Sequence, residues 1–223
     1  MNKRSVHQNI MPYTGLLAAV FYVAHVVAGR IVWSDYNPLS QPISDLTAAT
    51  AISRNAAGKM LYGYDLFNLL FCAVLLFFFA RKVVINKTFY TGLIIKAGAE
   101  VLSTVGYKLF PLADTDWASG GQNMIHYGIT AVIVLSYISL ALLLTVGLGR
   151  TGRYKKMTGF LAVFSFVFIV SGFLTVVAAQ KWVKWVGLVE RVNLYSLMSL
   201  NAVLALWMAG LNRKLNRNGD GVA

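Results

Sequence analysis

Stretches of about 20 mostly apolar residues recur along the 223-residue chain, over positions 13–33, 59–80, 88–109, 123–148, 158–179 and 192–211. A hydrocarbon core roughly 30 Å thick takes about 20 such residues per helix. Within lipid every backbone N–H and C=O must also find its partner inside the segment. The pattern therefore predicts an all-α membrane protein, a bundle of six transmembrane helices. Composition enters here as a control: 57% of residues are hydrophobic, 13% are charged and mean hydropathy is +0.63. Soluble domains are about 25% charged, so a water-soluble globule is excluded, and the wealth of large apolar side chains excludes a disordered chain.

One membrane domain is expected over 13–211, between a cytoplasmic segment at 1–12 and a mobile cytoplasmic tail at 212–223. The first apolar stretch is too long for a signal peptide and has no small-residue cleavage site before Arg30, so it is read as retained. The net charge of +12 follows topology. Twelve Lys and Arg lie with the termini and the connections 81–87 and 149–157, seven lie on the other side, and Lys96 falls within a span. That bias places both termini in the cytoplasm. The cations are assigned to topology and anionic lipid, not to nucleic acid. The single cysteine, Cys72, rules out an intrachain disulfide.

The outer connection 34–58 is long. It reads as a turn at Tyr36-Asn37-Pro38 and then a short helix opened by Pro42, with Ile43, Leu46 and positions 49–51 forming an apolar stripe along the interface.

Ionisable groups inside a bilayer are costly and mark either function or packing. His25, Asp65 and Glu100 lie about 9 to 12 Å below the outer ends of helices 1, 2 and 3, and His126 lies about 4 to 5 Å into helix 4. Four helices thus bring an acid, a base or a metal ligand to the outer half, and these four residues are the candidate catalytic set. Lys96 and Glu100 form an i, i+4 pair within a polar stripe on helix 3. The pair is either glue between helices or part of an outward-facing polar cavity. Candidate binding residues complete the picture. Ser44-Asp45 is either a helix start or a nucleophile with its acid. Asp114 and Asp116 form either a cation site or a solvated turn. Glu190-Arg191 either takes a lipid headgroup or pairs with rim charges. His25, His126 and Asp65 would make a mixed site for a divalent metal such as zinc.

The order of Asn37-Pro38, Ser44-Asp45-Leu46, Phe110-Pro111 with Asp114 ahead of His126, and Glu190-Arg191 resembles the bacterial membrane proteins of the domain of unknown function 998 family. The resemblance covers nearly the whole chain and implies an inner-membrane helix bundle. It implies no reaction. A looser similarity is to the alkaline ceramidase and Per1 superfamily, whose zinc is held by several histidines with an Asp and a Ser nearby. This chain departs from it, since only His25 and His126 lie in the bundle and His7 is cytoplasmic. Three readings follow: a lipid-directed, metal-dependent hydrolase; a small transporter, proton-coupled carrier or lipid-binding sensor; and an accessory subunit whose polar residues only pack helices. Membrane lipid is the expected partner. No G-x-S-x-G, H-E-x-x-H or P-loop is present.

Overall fold

The computed structural model describes residues 11–113 and 121–217. Six long helices carry most of them: α1 (Thr14–Val32), α2 (Arg54–Arg81), α3 (Lys87–Leu109), α4 (Gly121–Gly149), α5 (Lys155–Lys181) and α6 (Val186–Arg217). Short 3-10 turns occupy Met11–Tyr13, Ile43–Thr47 and Val183–Trp185. Five of the six, all but α3, are long and apolar enough to cross a membrane. The chain is built as a multi-pass membrane protein.

The reason α3 stands apart is visible in its two faces. Lys96 and Glu100 are 0% and 2% exposed, while Ile94, Val101 and Val105 on the opposite face are about half exposed. The charges point inward and the apolar side chains outward, the reverse of a helix on a soluble protein. Large apolar residues form the outer surface of the other helices too, among them Val20, Leu66, Phe77, Leu135, Phe166 and Phe173.

Each helix packs on its neighbours in the chain, and α6 closes back onto α1, so the bundle is a ring. One end gathers the start of α1, the end of α6 and the two tight connections: Lys82 Nζ donates to Asn212 Oδ1 at 3.3 Å, and Arg150 donates to Thr88 Oγ1 at 3.2 Å. Asn86 caps α3 there by accepting from Phe89 N at 2.9 Å, and its own amide donates to the Gly147 carbonyl at 2.6 Å. Position 147 must be glycine, because a Cβ would stand 2.5 Å from the Phe89 nitrogen.

Three boundaries differ from the sequence reading. α2 begins at Arg54 instead of 59, α6 begins at Val186 instead of 192, and α6 runs on to Arg217. The last extension takes in the start of the expected tail, where Asn212 is 2% exposed. At α6 the polar residues of both extensions are paired inside the bundle, Glu190 and Arg191 with the 34–53 loop and Asn212 with Lys82, and so continue the helix where the sequence reads as loop. The connection over 34–53 also differs. It does not lie along the interface: Tyr36, Ile43, Leu46 and Ala48 are all buried, and Leu46 packs against Gly29 of α1. The loop folds into the mouth of the ring, because that mouth is the nearest place where its apolar side chains leave water.

Candidate functional site

A cavity of about 1320 Å³ enters the ring from the end covered by this loop. Its wall includes His25 from α1, Ser44 and Asp45 from the loop, Asp65 from α2, Glu100 from α3, His126 from α4 and Glu190 from α6. Apolar and aromatic side chains such as Tyr22, Ile133, Leu194 and Met198 separate these polar groups.

The floor is a network across the ring axis. The Lys96 ammonium lies 3.0 Å from Glu100 Oε1 and donates to Cys72 Sγ at 3.7 Å. Tyr64 donates to Glu100 Oε2 at 3.3 Å, and Tyr137 of α4 donates to Oε1. Asn201 of α6 donates to Asn68, whose amide donates to Tyr64 at 3.1 and 2.9 Å respectively. Glu100 therefore holds three donors from three helices. A carboxylate so saturated is fixed in place, and its charge is balanced by an ammonium with no access to water.

Asp65 is separate from this network. Its Oδ2 lies 2.7 Å from the ammonium of Lys108, near the end of α3, and Thr104 donates to Oδ1 at 3.4 Å. Lys108 also stands 4.7 Å over the Tyr62 ring. The Lys108 side chain is 44% exposed, so this pair sits at the edge of the cavity between α2 and α3.

Both histidines are committed at one nitrogen. His25 Nδ1–H donates to the Tyr22 carbonyl at 2.6 Å, and His126 Nδ1–H donates to the Phe110 carbonyl at 2.8 Å. In its neutral form each ring keeps Nε2 as an acceptor. Their rings lie on Tyr22 and Tyr107, with centroids 4.6 and 4.7 Å apart. The mixed metal site does not form: among the described residues no three His, Cys, Asp or Glu side chains gather so as to hold an ion. His25, His126 and Asp65 line one cavity, but Asp65 is turned to Lys108.

At the mouth, Glu190 and Arg191 hold the loop instead of each other. Glu190 Oε2 accepts from the Ile43 backbone at 2.5 Å, at the start of the 3-10 turn. The Arg191 guanidinium donates to the carbonyls of Pro38, Gln41 and Gly187 at 2.5, 3.0 and 2.8 Å and also to the Tyr36 hydroxyl. Both expected roles for the pair, headgroup binding and rim pairing, give way to this clamp for Arg191. Burial pushes the Tyr36 phenol upward from its ordinary pKa, and the adjacent guanidinium opposes the shift. Ser44 lines the cavity with no hydrogen bond to a histidine, so the nucleophile reading gains nothing. Asp114 and Asp116 lie outside the described residues.

The sequence reading missed Tyr22, Tyr64, Tyr137, Asn201 and Lys108. Asn201 was findable as an amide inside an apolar span. The tyrosines looked like any membrane aromatic, and Lys108 like an ordinary rim cation.

No curated protein and no solved structure matches the chain. A family model described as Protein of unknown function (DUF998) matches residues 16–207, from α1 into α6. As the motif order implied, the chain belongs to that family.

Proposed function

We propose that this protein is a six-span inner-membrane protein with cytoplasmic termini that binds a membrane amphiphile in its cavity and acts as a small carrier or lipid-binding sensor. The cavity itself carries the reading. At about 1320 Å³ it is larger than most drug-sized pockets, which run to about 1,000 Å³, and it combines mostly apolar walls with a few convergent polar groups. Those polar groups, His25, Asp45, Asp65, His126 and Glu190, cluster toward the loop end, as a headgroup above a hydrocarbon tail would require. The inward-facing charges and outward-facing apolar side chains of α3 support its being the sixth span. The Lys/Arg bias supports the orientation, with the cavity opening to the outer leaflet.

The test is native mass spectrometry of protein released gently from detergent. A bound lipid is expected on the wild type. It should be lost from Met198→Trp, which fills the interior while leaving every charged group in place. Protein that retains no lipid in several mild detergents would sink the reading.

A further inference from the structure

We propose that the ligand reaches the cavity sideways from the membrane, its acyl chain passing through an apolar gap between α4 and α5. The inference rests on the amphiphile reading above and names the route and the part of the ligand that uses it.

Three ways into the cavity are visible. The axial mouth is covered by the 34–53 loop, which is held by three hydrogen bonds from Arg191, to the Pro38 and Gln41 carbonyls and the Tyr36 hydroxyl, and by Ala49 N donating to the Leu112 carbonyl at 2.8 Å. The gap between α2 and α3 is crossed by the 2.7 Å Asp65–Lys108 ion pair, with Tyr62 against the ammonium. The third way is chemically different. α4 and α5 are joined at the terminal end and meet closely in that half, where Thr145 and Ser165 hydroxyls are 3.1 Å apart and Ser165 donates to the Ala141 carbonyl at 3.2 Å. About three turns nearer the loop end, both helices show the same residues to the cavity and to the outside. Leu135 lines the cavity and is 63% exposed; Val176 lines it and is 59% exposed. Ala131 and Ala179 continue the wall.

A side chain that borders an interior space and also the lipid-facing surface marks where that space reaches the surface. Here the rim is hydrocarbon. An acyl chain moving from bilayer to cavity across such a rim exchanges one apolar surrounding for another, whereas a charged group would lose its hydration. Above the gap, Tyr127, Thr130 and Gln180 also line the cavity, and these uncharged polar groups suit a headgroup that stays near the interface while its chain enters.

The experiment reconstitutes the full chain in phosphatidylcholine vesicles doped with a phosphatidylcholine that carries a diazirine in its acyl chain. After illumination, labelled peptides are mapped by mass spectrometry. Label is expected on the interior residues Leu197 and Met198 and on the outer residues Phe77 and Phe166. In Leu135→Trp/Val176→Trp, interior label should fall about tenfold while outer label holds. In Leu135→Ala/Val176→Ala it should rise by about twofold or more. Interior labelling unchanged in either variant overturns the portal and leaves the amphiphile reading intact. A wild type with no interior label overturns both. Protection of the Cys72 thiol reports folding, and if the Trp pair fails that check the Ala pair decides.

Discussion

Lys96 and Glu100 meet at 3.0 Å with almost no exposure, where removing one partner strands the other's charge. Lys96→Met is expected to destabilise the protein by about 3 to 5 kcal/mol, whereas Lys96→Met/Glu100→Gln, which keeps an acceptor for Tyr64 and Tyr137, should recover most of the loss. Thermal unfolding can be followed through the single buried thiol, Cys72, as it becomes reactive to a fluorogenic maleimide. A double variant with restored stability that still binds lipid would make the pair helix glue; restored stability with lipid binding lost would give it a functional part. Arg191 gives a second test at this scale. Its guanidinium donates to two loop carbonyls and the Tyr36 hydroxyl, so Arg191→Met should cost about 1 to 3 kcal/mol by removing those charge-assisted hydrogen bonds, and the same thiol assay reads it.

Among the elements, the loop and α6 are fitted through Gly187. A Cβ there would press on the Gln41 carbonyl and lie 2.7 Å from that of Pro38, both acceptors of Arg191. Gly187→Ala should therefore release the same loop as Arg191→Met. The double variant should lose less than the sum of the two, since both break one contact. Limited proteolysis between residues 34 and 53 is the direct readout, with cleavage of both single variants well ahead of the wild type. At the other end, Gly147→Ala drives α4 off the capped start of α3 and is expected to lower stability without exposing that loop. This separates an interhelical clash from a loop release.

For the whole molecule, orientation is the claim with the widest reach, because it decides which leaflet the cavity faces. In a Cys72→Ser background, Thr50→Cys on the loop should react with a membrane-impermeant maleimide in intact cells, and Lys155→Cys at the start of α5 only after permeabilisation. The reverse pattern would turn the cavity toward the cytoplasm. The ring closure of α6 on α1 adds a constraint: the 3.3 Å Lys82–Asn212 contact ties the α2–α3 connection to the end of α6. Asn212→Leu should loosen the terminal end while leaving lipid retention unchanged.

The six long helices and their apolar, multi-pass character were legible in the sequence alone, since a lipid solvent admits only segments that satisfy their own backbone and hide their charges. Inward placement of Asp65, Lys96 and Glu100 followed from the same penalty, and the order of short motifs was enough to identify the family. Which charge meets which was decided only in the folded ring. Asp65 joins Lys108 and not Lys96, and Glu100 takes Tyr137 from a helix 37 residues on, because each successive residue turns about 100° around its helix axis and the partner depends on how neighbouring helices are rotated and staggered. Glu190 and Arg191 read as rim charges for the same reason: nothing local says that a loop about 150 residues earlier folds back over them. Similar depth on four helices likewise says nothing about the direction in which each side chain points across the ring, and it is there that Asp65 turns to Lys108.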